Sequence, residues 1–342
     1  MTLFAQLTRR GRRALIAVAV GGFLVVIVGF VVLFHGTADY PGGTAAAPTA
    51  ITVTAGETGS QIALSLQSAG VVESRRTFVG ILLNDSQGLG IAPGVHRIER
   101  HIPAKAALSE LLDRNRIENI VVVRDGSTYA EVLKLLKSDP GVIANENLGN
   151  LILPLENPLN SLEGELAPAQ YSFAPGTNTA AALEQMLLAA KSNFVSSGIL
   201  SRYLKYTPYQ LLTIASLIQI EADPSDYVKA TRVILNRLAI GMPLQLNSTV
   251  LYAMHSSGHI GLSVAATHID SPYNTYLHQG LPPTPISNPS LAALRAVCAP
   301  AAGNWLYFIT VAPGDTRFTA NYSQFEQWVA LYNQNVAKGV FK

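Results

Sequence analysis

The sequence predicts an α+β protein: an N-terminal transmembrane helix, a small α+β module, and a larger α+β domain behind it. Three observations carry this. Ala14–Phe34 is an uncharged run of 21 residues, long enough to cross a hydrocarbon core as a helix. A strand–turn–helix pattern occurs twice, as ITVTAGETGSQIALSLQSAG and IVVVRDGSTYAEVLKLLKSDPG. Leu211–Gln245 reads as two helices joined at a tight corner.

Length and composition narrow the function classes. A chain of 342 residues has room for two domains or three small ones. A net charge of +2 gives no bulk electrostatic argument for a nucleic-acid partner. Only 13% of residues are charged and mean hydropathy is +0.26, partly because of the N-terminal run. One cysteine, Cys298, excludes an internal disulfide framework and any multi-cysteine metal site, and its apolar helical setting makes it a packing residue. No cofactor is expected.

Taken in order, residues 1–13 are a tail carrying Arg9, Arg10, Arg12 and Arg13, and no such cluster follows the apolar run. The positive-inside rule then leaves the tail in the cytoplasm and everything beyond His35 outside, on a single-pass anchor in the cytoplasmic membrane. A cleaved signal peptide ending near Ala45–Ala47 is the competing reading, but its apolar region would be shorter. Residues 35–50 are a Gly/Pro/Ala/Thr linker. Residues 51–140 hold the two strand–turn–helix units, with a strand near Val95–Ile98 and a short helix over Ala106–Arg114 between them. Such units resemble LysM-type glycan-binding modules; a spacer without a ligand is the alternative.

Residues 141–342 form the larger domain, and its centre is the helical hairpin. Ile214, Leu217, Ile218 and Glu221 fall on one stripe at i, i+3, i+4, i+7, so Glu221 stands where a core residue is expected. Burial and the negative end of the helix both favour its protonated form, which is what a general acid needs. The bland alternative is a structural acid paired with Arg232 or Arg237. Asp223 is placed to cap the second helix, with Pro224 at its first position and a buried stripe of Val228, Thr231, Ile234, Leu235 and Leu238.

Around the hairpin lie further candidates. Glu163 and Glu165 in SLEGELAPAQYSFAPGT are close-set acids, Glu165 reading better as a solvated strand end. Ala180–Val195 is a helix. Gln245, Asn247, Ser248 and Tyr252 form a neutral polar cluster in a segment that is strand-like and then helical. Ser271–Ile286 is an irregular loop whose Tyr, Asn and Pro suit sugar recognition. Leu291–Val297 is a helix, Trp305–Val311 a buried strand, and Phe318–Asn335 ends in a helix. His255 and His259 share a zinc-like spacing without an HExxH pattern and are not read as a metal site.

ASLIQIEA, VILNRLAIGMPLQ, STVLY, SPYNTYLHQGLPPTPISNP and WLYFI, in this order behind one anchor, resemble the endolytic murein transglycosylases of the MltG (YceG-like) family. The likeness is dense from Leu211 to Asn288 and thin before Ser161. It implies a cell-membrane enzyme facing the wall, acting on peptidoglycan glycan strands between N-acetylmuramic acid and N-acetylglucosamine, with cell-wall synthases as candidate partners. The family's catalytic glutamate falls on Glu221; Glu163, Gln245, Asn274, Thr275 and Tyr276 match its other motif positions and, with Asn247, Ser248 and Tyr252, are the expected substrate-binding residues. Departures are Gln219, Asn247-Ser248 and Leu166-Ala167-Pro168, which leave fewer acids near Glu221. With one acid, the expected route is intramolecular. Glu221 protonates the leaving oxygen and then takes the proton of the muramic C6 hydroxyl, which closes a 1,6-anhydro ring. A lysozyme-like hydrolase using Glu163 as second carboxylate, and a non-catalytic peptidoglycan-binding scaffold, are the alternatives.

Overall fold

The computed structural model describes residues 38–341 except 55, 86–89, 146–147, 149–150, 175, 202–204 and 257–262. The apolar run Ala14–Phe34 lies outside the described residues; among those described, no helix is long and apolar enough to cross a membrane. The chain is mixed α and β throughout. It forms two compact units, one reaching to Ile120 and including Ser172–Ala174, the other made of Val121–Tyr171 and Pro175 onward.

In the first unit, β1 (Ala46–Val53) opens within the stretch expected to be linker. It pairs antiparallel with β2 (Gly94–Arg100), which pairs antiparallel with β3 (Ile117–Glu118). Between β1 and β2 run α1 (Gly59–Ser68) and α2 (Arg75–Asn84); α3 (Ala104–Leu112) follows β2. Thr58 and Gln61 form a capping box at the start of α1, which satisfies donors the helix cannot pair internally. Ile51, Val53, Ile62, Leu66, Phe78, Ile98, Leu108 and Leu111 make the core. The expected strand–turn–helix is therefore present, followed by a second helix that periodicity does not separate.

The second strand–turn–helix copy belongs to the other unit. Here β4 (Ile120–Val123) pairs with β6 (Ala169–Ser172), and α4 (Tyr129–Ser138) follows β4 behind a Thr128/Glu131 capping box. The short strands β5 (Val142–Ile143) and β7 (Thr177–Asn178) pair in parallel. The unit is built around α6 (Pro208–Glu221), which packs against α7 (Tyr227–Ala239) and α9 (Leu291–Cys298); α5 (Thr179–Ser197) packs on α9. Leu211, Leu212, Ile214, Ala215, Leu217 and Ile218 are all fully buried, so α6 is covered on every side rather than along one stripe. Each such large aliphatic is worth about 1.5–3 kcal/mol in burial.

Local chemistry sets the ends of α6. Thr207 and Gln210 form its capping box and Pro208 occupies the first turn. It stops at Glu221 because Asp223 precedes Pro224 and is held extended, at φ −71° and ψ 151°. The corner differs from expectation in one respect. Pro224–Asp226 is a single 3₁₀ turn before α7, and Asp223 makes no side-chain cap. On α7, Thr231, Ile234 and Leu235 are buried as expected, but Val228 is exposed.

The segment before α8 (Asn247–Ala253) is irregular rather than strand-like. The carboxy-terminal hairpin β8 (Tyr307–Ala312) and β9 (Asp315–Thr319) with α10 (Tyr322–Ala337) is shallow. Only Val311 of β8 is buried, so the buried strand expected there is a half-covered one. Its aromatics pack on one another instead, with Tyr307 and Phe325 rings 5.1 Å apart.

Candidate functional site

Glu221 is the last residue of α6 and is half-buried, at the rim of the core rather than inside it. The Ser248 N–H, in the first turn of α8, donates to its Oε1 at 3.0 Å. Four residues on, the Tyr252 hydroxyl donates to Glu163 Oε2 at 3.1 Å. One turn of α8 thus touches both acids, Glu221 through a main-chain N–H at the helix start and Glu163 through a side chain. Nothing in the sequence announces that gathering, because Glu163 and Glu221 lie far apart along the chain.

Glu163 is only 4% exposed. Its Oε1 accepts the Tyr129 N–H at 3.0 Å, at the start of α4. Burial pushes its carboxyl up to about 7, against the downward pull of the Tyr129 N–H and the Tyr252 hydroxyl. Glu165, expected to be solvated, is fully buried. It accepts from Asn157 Nδ2 at 3.0 Å and from the Leu155 N–H at 3.3 Å, and burial pushes it up to about 7 as well. Between the two acids, Gly164 has φ +84°, and a Cβ there would stand 2.6 Å from Pro285 Cβ. Only glycine turns the chain so that both neighbours point inward. Gly164→Ala should cost at least about 1–2 kcal/mol from the left-handed backbone alone, read as a lowered melting temperature.

The remaining expected site residues divide by exposure. Gln245 and Asn247 are exposed and Tyr276 is half-exposed. The Tyr276 hydroxyl donates to Asn247 Oδ1 at 2.6 Å, close enough to Glu221 and Arg237 to feel both charges. Gln245 holds φ +50°, with its N–H on the Thr275 carbonyl at 3.0 Å. Asn274 and Thr275 are buried and serve the protein itself. Asn274 Nδ2 bonds the Thr267 and Ile269 carbonyls, its Oδ1 accepts the Tyr276 N–H, and Thr275 Oγ1 accepts the Leu246 N–H. Their polar atoms shape the loop that presents Tyr276. Ser248 is 7% exposed, and its Oγ has no partner among the described residues.

Several supporting residues carry no signal in the sequence. Arg237 stands out there only as a partner for Glu221. It is buried, which works against its charge, and it donates to the Leu306, Pro243 and Leu244 carbonyls, while the nearby Glu221 charge partly offsets the effect of burial. Arg232 donates to the Ala301 carbonyl at 2.6 Å. Ser216 on α6 accepts the Ile286 N–H at 3.1 Å, and Asn288 accepts the Leu166 N–H at 2.9 Å while donating to the Ser127 carbonyl at 2.8 Å. Together they tie the Ser271–Asn288 loop, α6 and the Glu163 turn into one support. Gln219, where the resemblance leads one to expect an acid, accepts the Ser290 N–H at 2.9 Å and is structural. His255 is exposed and His259 lies outside the described residues.

Comparison with known proteins agrees with this architecture. The endolytic murein transglycosylase of Bacillus subtilis (strain 168) is 33% identical over 223 residues, 64% of this chain and 59% of that protein. Its namesake in Streptococcus pneumoniae (serotype 2, strain D39) is 36% identical over 176 residues, 49% of this chain and 32% of that protein. The chain therefore spans less than two thirds of the curated relatives it matches. A crystal structure of a yceG-like protein from Listeria monocytogenes superposes with TM-score 0.51 at 22% identity, over 82% of this chain and 98% of that one, which speaks to fold. The YceG-like family profile matches residues 51–331, most of the chain. On that match the chain belongs to the YceG-like family.

Proposed function

We propose that this protein is a lytic transglycosylase that cuts peptidoglycan glycan strands internally, between N-acetylmuramic acid and N-acetylglucosamine. Glu221 is its general acid and then its general base. The observation that carries this is the setting of Glu221: a carboxylate at the end of the buried helix α6, half-open to solvent, gripped by a main-chain N–H and close to Tyr276, whose hydroxyl holds Asn247. The names of the relatives supply the substrate class. The unpartnered, buried Ser248 Oγ is a group that a sugar hydroxyl would satisfy.

The route follows from what surrounds the acid. Glu221 delivers its proton to the glycosidic oxygen as the bond to C1 breaks. The ionised Glu221 then removes the proton of the muramic C6 hydroxyl, whose oxygen closes onto C1. The nucleophile is tethered to the reacting sugar, so no second carboxylate is needed. Hydrolysis would need a base able to reach water. Glu163 is a poor one, because it is buried and both its oxygens already accept protein hydrogen bonds. New ends should therefore carry 1,6-anhydro-muramic acid, lighter by one water than hydrolysis products. Mass spectrometry of muropeptides from digested strands is the test; reducing muramic ends as the main product would overturn the route.

The same reading puts the domain on the outer side of the cytoplasmic membrane, anchored through Ala14–Phe34, where nascent strands and their synthases lie. It gives the module within residues 51–140 the task of guiding glycan, in keeping with two helices carried between antiparallel β1 and β2. A reporter fused at the C-terminus and active only in the cytoplasm would overturn the topology.

A further inference from the structure

We propose that Ser248 is a positioning residue for Glu221: its main-chain N–H orients the carboxylate and favours the ionised form that the second half of the reaction requires. This rests on the reading of Glu221 as the acid–base group. The observation is the 3.0 Å bond from the Ser248 N–H to Glu221 Oε1. An N–H aimed at a carboxylate oxygen stabilises the negative charge and is a stronger bond than one between neutral groups.

Three of the groups facing Glu221 lie on three different elements. Ser248 is on α8, Arg237 is on α7, and Tyr276 is in the Ser271–Asn288 loop. Arg237 also favours the anion, but its guanidinium is committed to the Leu306, Pro243 and Leu244 carbonyls, so it acts as a fixed background charge. Tyr276 is neutral near pH 7, since burial raises its hydroxyl further, and that hydroxyl is spent on Asn247. Ser248 is thus the one of the three that donates directly to Oε1. The bond offsets the cost of leaving a partly buried carboxylate charged once the proton has gone to the leaving group.

A main-chain donor is removed by proline, and position 248 lies within the first turn of α8, where a helix tolerates one. The experiment follows the Glu221 carboxyl carbon and the Ser248 amide by NMR across pH in the full chain, with Glu221→Gln to assign the carboxyl. In the parent, the Ser248 amide proton should titrate with the same midpoint as the Glu221 carboxyl, and this movement should vanish in Glu221→Gln. In Ser248→Pro the midpoint should rise by about one pH unit. The alkaline limb of the glycan-cleavage rate should move with it, since the acid keeps its proton to higher pH. Ser248→Ala keeps the N–H and should leave the midpoint where it was. An amide that ignores the Glu221 titration, or a Ser248→Pro midpoint equal to the parent's, overturns the proposal. If Ser248→Pro does not fold, the amide titration in the parent decides. If the parent cleaves no glycan, the proposed reaction falls while the two NMR midpoints still decide this inference.

Discussion

Glu221→Gln should fold like the parent and lose roughly 10²–10⁴-fold or more of the glycan-cleaving rate, the range general acid–base groups contribute. Glutamine is nearly isosteric, and its Oε1 can still accept the Ser248 N–H, so α6 and α8 stay joined. It cannot give a proton to the glycosidic oxygen. The measurement is the yield of 1,6-anhydro muropeptides from purified strands, beside a melting curve. A well-folded variant that kept a tenth of the activity would make Glu221 a structural acid.

Glu163→Gln should change stability in a pH-dependent way. Burial raises Glu163 from 4.5 to about 7 in the folded state. Below pH 4.5 the carboxyl is neutral whether folded or unfolded, so it imposes no penalty. Between 4.5 and about 7 the unfolded chain releases the proton while the folded chain retains it, so folding weakens as pH rises; above about 7 the loss is complete. The full effect is up to about 3 kcal/mol for this one group. Glutamine resembles the protonated acid, so the variant should match the parent near pH 4.5 and melt higher about one unit above the folded midpoint. Glu165 is raised in the same window, so the variant should remove only part of the parent's slope. Chemical denaturation at either end of that window and at its middle reads this directly. A parent–variant difference that does not change with pH would mean Glu163 is ionised throughout. In either case Glu163→Gln should retain anhydro product, because Glu163 braces α8 through Tyr252 rather than meeting the sugar.

The α+β class, the central helical hairpin and the prominence of Glu221 could all be read from the chain before any packing was known. They depend on local chemistry: the Thr207/Gln210 box starts α6, the Asp223-Pro224 pair ends it, and a carboxylate closing an aliphatic run stands out by type. Other features depend on distant partners. The two strand–turn–helix copies look alike in sequence, yet they fall in different compact units, because strand partners are chosen from distant segments: β1 with β2, and β4 with β6. Glu165 reads as solvated because an acid near a strand end ordinarily meets water; the left-handed turn at Gly164 and donors from Leu155 and Asn157 hold it inside instead. Thr275 carries a hydroxyl as Tyr276 does, but the Leu246 N–H, 29 residues away, consumes it, while Asn274 spends its amide on main-chain groups of its own stretch and Tyr276 is left at the rim. Burial and hydrogen-bond partnership are sums over the whole fold. A residue's type and spacing bound them, and only the packed chain assigns them.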